Sequence, residues 1–385
     1  MESKPSTAGE IQYDKYKNRN AAHDVLRMIL SIMVITLHFC NKNGGKGFFY
    51  AAENPIVYNF LLMLESLCIC AVNCFMMQSG YFLATSQKRA IRKPLFMLAA
   101  VSCYNVMFYF IEVFGGTPLS LGSLVRRALP INYYAWLYGT VYLVSPWINL
   151  CISKLSKRSF QFMLTMMSAL FVIWPTIVGM YTGIFGTTLL EISTISAVDH
   201  GAGYTLVQFV VSYLFGAYLR LHGISLTKKH CCLAYLFSCC GIFLLLHFSF
   251  AAIEYCNVFV VASAFFLTAA FTKTEVHSSP IWTHLAAQSF NVFLTHVSMY
   301  ALWTHLPLSL LETCGLLQAG LITVFAVLLM YAASFAISFV TSKAMQPVRV
   351  LISRVTSWEY QVLESEETTP MANYGDIPKQ EERHV

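Results

Sequence analysis

Charged residues are scarce in this chain. They make up 11% of its 385 residues, against about 25% in an average soluble domain. With 57% hydrophobic residues, that shortage excludes a soluble globular domain built on one core. Short strands of alternating polarity are also missing, which excludes a transmembrane β-barrel. The twelve cysteines show no zinc-type spacing with histidines, so no metal is expected. Most lie inside apolar runs, as Cys68, Cys70, Cys74, Cys239 and Cys240 do, and there a thiol behaves as a small hydrophobe. No small-residue cleavage site follows the first apolar run, so a signal peptide is not expected. No outside loop is long enough to form a domain, and no convincing internal repeat or low-complexity tract appears. The net charge of +6 sits in short loops and needs no nucleic acid to explain it.

What the chain has is apolar runs of the length that spans hydrocarbon, at about 1.5 Å rise per residue. Ten can be read, near 24–41, 56–83, 94–114, 132–152, 160–182, 204–221, 231–249, 251–271, 286–305 and 316–342. The expected fold is an all-α membrane protein with a cytoplasmic tail (1–22), a ten-helix membrane domain (23–343) and a largely disordered cytoplasmic tail (344–385). Lysine and arginine support this topology. With the N-terminus inside, 20 of them fall on inner segments and 4 on outer loops, a strong positive-inside bias. Both termini are then cytoplasmic.

The first run, DVLRMILSIMVITLH at 24–38, places an arginine and a histidine where each is costly. Arg27 and His38 are 11 residues apart. At ~100° per residue that is roughly 20° past three turns, so both lie on one helix face, about 16 Å apart along the axis. Arg27 falls near the inner surface and His38 in the outer half. Intramembrane ionisable groups usually line a functional cavity. A neutral histidine serves as a general base near neutral pH, and a guanidinium holds phosphates. The alternatives are an Arg27 that snorkels or pairs with Asp24, and a His38 that is merely hydrogen-bonded.

Four further stretches accompany this pair. They are NCFMMQSGYFL at 73–83, KRAIRK at 88–93, YYAWLYGTVYLVSPWIN at 133–149 and SFNVFLTHVSMY at 289–300. In order and spacing, the Arg-x10-His pair and these four stretches resemble the membrane acyltransferase-3 family, integral-membrane O-acyltransferases of bacterial surface glycans. The resemblance covers roughly 20–345, without the appended esterase-like domain that some members carry.

It implies transfer of an acyl group, acetyl first, from cytoplasmic acyl-CoA to a hydroxyl of a cell-surface polysaccharide or lipid-linked sugar. The enzyme would sit as a multi-pass protein in a bacterial plasma membrane. Arg27, Arg89 and Arg92 would form a basic mouth for the CoA phosphates, the last two presented together on a helical extension, with Ser79 on the donor side. His38 would act as general base, and Glu65, at similar depth, would orient it. Tyr134, Trp136 and His296 would meet the acceptor. Alternatives stay open for each: a topology-setting loop at 88–93, an interhelical hydrogen bond from Glu65, an interfacial aromatic belt around Trp136 and Tyr138, and a satisfied core histidine at 296. Asp199, His200, Glu254 and Asn257 carry no reading. The rival functions are a secondary transporter or flippase without chemistry, though no Gly/Pro-interrupted pair of spans supports it, and a glycan polymerase or ligase.

Overall fold

A backbone in hydrocarbon must satisfy its own N–H and C=O groups, and a continuous apolar run does so as a helix. The computed structural model, which describes residues 20–41, 44–187, 203–356 and 359–361, follows that rule. In chain order the helices are α1 (Ala22–Cys40), α2 (Pro55–Cys68), α3 (Ala71–Leu83), α4 (Arg92–Phe114), α5 (Leu121–Ala128), α6 (Tyr133–Ser153), α7 (Lys157–Ser168) and α8 (Trp174–Phe185). They continue with α9 (Leu206–Leu221), α10 (Lys228–Leu246), α11 (Val258–Thr272), α12 (Pro280–Thr295), α13 (Leu316–Ala344) and α14 (Gln346–Val355). Two short strands, β1 (Lys88–Ala90) and β2 (Glu359–Gln361), pair antiparallel with Arg89 opposite Tyr360.

Among the described residues, eight helical segments are long and apolar enough to cross a membrane. Each of the ten sequence-read runs coincides with a helical segment, but two fall short of that length. One is α9, with 16 residues. The other is α12, also 16 residues, which continues not as α-helix but as a 3-10 helix over His296–His305.

Local chemistry sets the boundaries. Asn132, Ser156, Thr205, Thr227 and Ser279 each accept a backbone N–H from the first turn that follows, the role for which short polar side chains are preferred. Pro55 and Pro280 open α2 and α12, where a missing N–H costs nothing. Inside membrane runs, proline disturbs instead. A π-helical segment, Ala169–Ile173, joins α7 to α8 just before Pro175, and Pro146 lies within α6.

At the centre α3 crosses α9 at backbone contact. A Cβ on Gly80 would overlap the Tyr213 carbonyl, and one on Gly216 would overlap the Met77 carbonyl. Lipid tails supply no hydrophobic drive between helices, so close approach through small residues is the main source of attraction. Substituting Gly216→Val should force the two helices apart at a cost of about 1–3 kcal/mol, the usual range for overpacking. The unfolding midpoint in detergent should fall accordingly. Gly320→Ala, on α13 where a Cβ meets nothing within 4 Å, should leave it unchanged or slightly higher.

Candidate active site

Helices α1 and α12 run side by side and carry the polar residues of two cavities. Ser31 ties them at mid-length: its hydroxyl lies 3.0 Å from the Arg27 carbonyl and 3.1 Å from that of Ser289. Arg27 lines a cavity of about 480 Å³ at one end of this seam. His38 lines a cavity of about 750 Å³ at the other. The shared face expected from the eleven-residue step is therefore present, with one polar residue in each chamber.

Three cations from separate elements meet at the first cavity: Arg27 of α1, Lys93 of α4 and Arg349 of α14. Arg27 pairs with Asp24 at 3.1 Å, and its guanidinium lies over the Phe82 ring. Gln78, Ser79 and Asn291 add uncharged polar groups. One wall is a tyrosine ladder on α6, with Tyr134, Tyr138 and Tyr142 four residues apart. Successive rings are nearly parallel, with centroids 5.8 and 6.3 Å apart. Lys93 Nζ sits over the last of them.

In the second cavity His38 Nδ1 lies 2.7 Å from the Tyr300 hydroxyl, and its ring centroid is 4.8 Å from that of His296. His296 is fully buried. Its Nδ1 lies 3.2 Å from the Val292 carbonyl, an acceptor only, so Nδ1 carries the proton and Nε2 is bare in the neutral ring. Glu65 lines the same cavity with a buried carboxylate oxygen that has no hydrogen-bond partner among the described residues. Asn41, Asn132, Tyr133, Tyr204, Glu254 and Tyr255 complete the polar lining. Asn73 and Gln208 both donate to the Tyr255 carbonyl, at 2.8 and 3.0 Å, which holds that loop in place.

A single layer of rings divides the chambers. Phe75 and Tyr134 line the first cavity and Phe293 lines the second. Phe293 lies 5.7 Å from Phe75 and 4.7 Å from Tyr134, centroid to centroid.

Several expectations require correction. Arg89 and Arg92 do not share a helical surface, and neither lines the cationic cavity. Arg89 is on strand β1 and buried. Its Nε donates to the Tyr142 carbonyl at 3.1 Å and to Ser145 Oγ at 2.8 Å, and its other nitrogens reach the Leu83 and Lys88 carbonyls. The reason is Pro146, which has no N–H to give the Tyr142 carbonyl four residues back. Arg89 and the Ser145 hydroxyl take over that role. Arg92 is half exposed and pairs with Glu359 at 2.8 Å.

Tyr134 belongs to the ring layer and not to the His38 chamber. Trp136 points outward, with Nε1 bonded to the Pro130 carbonyl at 2.9 Å, and lines neither cavity. The imidazole of His38 is held by Tyr300 and not by Glu65. Asn257 caps α11 by accepting the Phe259 N–H. The tail expected to be disordered after Trp358 begins with strand β2, because Tyr360 stacks on Trp147 and its hydroxyl bonds the Leu143 carbonyl. Asp199, His200 and residues 362–385 lie outside the described residues. Ser79 lines the cavity of Arg27 and His296 that of His38.

Sequence reasoning passed over Lys93 as a binding group, and Arg349, Tyr300 and Tyr255 altogether. Tyr300 closes a quoted stretch, SFNVFLTHVSMY, so its position was in view. Its approach to His38 depends on the 3-10 winding, which letters alone do not show.

The family scan matches an acyltransferase domain over residues 20–343. With that coverage, the chain belongs to the membrane acyltransferase-3 family, and it is a multi-pass membrane acyltransferase. No curated protein and no solved structure matches significantly.

The buried hydrogen bonds of Arg89 make it a structural residue. Arg89→Met should strand its carbonyl partners, at about 1–3 kcal/mol for each one left unsatisfied, and lower the unfolding midpoint sharply. Arg92→Ala, which breaks a half-exposed ion pair, should cost less than about 1 kcal/mol. Tryptophan fluorescence during heating in detergent reads both. An Arg89→Met protein with a wild-type midpoint and only weaker donor binding would reverse the assignment.

Proposed function

We propose that this enzyme moves a short acyl group, acetyl first, from a CoA thioester in the Arg27 cavity to a sugar hydroxyl in the His38 cavity. The observation that carries this reading is the pairing of the two chambers along α1. One gathers three cations at its mouth, and the other holds an imidazole against a tyrosine hydroxyl. Cations of separate elements suit the several phosphates of CoA, whose oxygens accept charge-assisted hydrogen bonds from guanidinium and ammonium groups. The long, thin pantetheine arm then follows the tyrosine ladder inward.

The positive-inside distribution supports a cytoplasmic Arg27 cavity and a His38 cavity opening outward. Ten spans, α9 and α12 included, then return both termini to the cytoplasm. The acceptor is a surface glycan or a lipid-linked sugar, and the tyrosines of the His38 cavity offer it ring faces and hydroxyls.

In the tautomer that carries its proton on Nδ1, His38 donates to Tyr300 Oη and leaves Nε2 bare. Nε2 takes the proton of the acceptor hydroxyl as that oxygen attacks the thioester carbonyl carbon. The new C–O ester bond forms, the C–S bond breaks, and the proton passes to the departing CoA sulfur as a thiol. Tyr300 holds the imidazole in that tautomer, as the group behind a catalytic histidine does elsewhere. Glu65 hydrogen-bonds the acceptor from the same chamber. No metal is required by these steps.

Purified protein in nanodiscs, given labelled acetyl-CoA and a glycolipid extract, tests this. His38→Ala should lose about 10²–10⁴-fold in transfer, the usual worth of a general base, with donor binding intact. Arg27→Ala and Arg349→Ala should instead raise the KM for acetyl-CoA by about tenfold or more, since a charge-assisted hydrogen bond contributes roughly 1.5–3 kcal/mol. Tyr300→Phe should lower kcat and spare KM. Undiminished transfer by His38→Ala would overturn the reading.

A further inference from the structure

Phe75, Tyr134 and Phe293 come from three helices, α3, α6 and α12, and meet where the two cavities end. All three are buried, with 9, 2 and 5% of their surface exposed. On one side of the layer the tyrosine ladder descends from Tyr134 to Lys93. On the other, Phe293 lies 5.8 Å from His296, whose ring in turn touches that of His38. One ring spacing therefore separates the layer from the histidine pair.

We infer that these three rings form a diaphragm that gauges the acyl group, admitting a short chain to His38 and rejecting a longer one. This rests on the acyl-transfer reading above. The argument is geometric. Phosphates held by Arg27, Lys93 and Arg349 fix one end of the donor, and the thioester carbonyl must meet the acceptor oxygen at the far side of the ring layer. The acyl chain meets the rings first, and the thioester carbonyl must follow it to the far side. A methyl group passes between ring edges after small rotations. Each added methylene must displace a ring or occupy the space of the acceptor, in an interior where volume changes of one methylene are felt. The reaction catalysed is unchanged: the C–S bond breaks, the C–O bond forms, and the acceptor proton leaves with the thiol.

The test is a chain-length series, acetyl-, butyryl- and octanoyl-CoA, with wild type, Phe293→Ala, Phe293→Trp and Phe75→Leu in nanodiscs. Folding is checked by thermal midpoint. Phe293→Ala should raise the octanoyl-to-acetyl ratio of kcat/KM by about tenfold or more, the scale at which an apolar pocket discriminates methylenes. Phe293→Trp should lower the butyryl-to-acetyl ratio. Should Phe293→Ala fail to fold, Phe75→Leu should shift the ratios in the same sense as the larger truncation, by less. Folded variants that transfer acetyl with the wild-type chain-length profile would overturn the diaphragm and leave the acyltransferase reading standing. No transfer by the wild type from any of the three donors would overturn the reading on which the inference depends, and the inference with it.

Discussion

A proline in the middle of a membrane helix frees a carbonyl that hydrocarbon cannot hydrate, and much of this structure is arranged around that debt at Pro146. The Tyr142 carbonyl, four residues back, receives Arg89 and Ser145. The next carbonyl, that of Leu143, receives Tyr360 from the C-terminal strand. Arg89 can reach only because β1 runs alongside α6, and β1 is held there by β2. The same region closes the end of α3, where Asn149 donates to the Leu83 and Ser86 carbonyls and is itself bonded by Tyr213 of α9. Tyr213 also lies at the crossing where Gly80 lets α3 and α9 touch. The kink, the strand pair and the helix crossing thus form one hydrogen-bonded unit, and the last ring of the tyrosine ladder rests on it: the Tyr142 hydroxyl accepts the Ala90 N–H and the Arg89 guanidinium lies over its ring.

This coupling explains why the site is built on α1, α6 and α12. The α6 segment above Pro146 presents Tyr134, Tyr138 and Tyr142 in register because an α-helix returns every four residues nearly to one face. The α1–α12 seam presents Arg27 and His38 at opposite ends, and Ser31 fixes its sliding position. A change from α to 3-10 winding at His296 then redirects the chain. His296 and Tyr300 both reach the His38 chamber. Rigid helices hold the chemistry, and the disturbed winding sits where side chains must converge.

Hydropathy made the helices legible, because in hydrocarbon a continuous apolar run has few other conformations available. The facing of Arg27 and His38 was legible for the same reason: it follows from helical pitch alone. Partnerships across the bundle were not. An arginine that binds phosphate and one that satisfies a kinked helix are the same letter, and what separates them at Arg89 is a proline 57 positions later in the chain. Lys93 and Arg349 share a cavity although they stand 256 positions apart, a convergence set by the packing of α14 on α4. Tyr134 and Trp136 sit two apart in one motif, yet a helix turns them about 200° from each other. One enters the ring layer and the other faces away.

Two chambers with one aromatic layer between them answer a physical problem specific to chemistry across a membrane. A donor fixed by its phosphates on one side and an acceptor on the other need a common reaction point, and an open channel joining them would admit water and ions. A ring layer is apolar and thin. Apart from the Tyr134 hydroxyl it gives water no hydrogen bonds, which makes a single layer of side chains a substantial barrier to polar species. It also yields to a methyl group at the cost of small ring rotations. In the proposed reaction, placing the histidine pair one ring beyond that layer keeps the base on the acceptor's side. On the proposed reading, the thioester carbonyl has only to reach the far face of the diaphragm, where the acceptor oxygen attacks it and the C–S bond breaks.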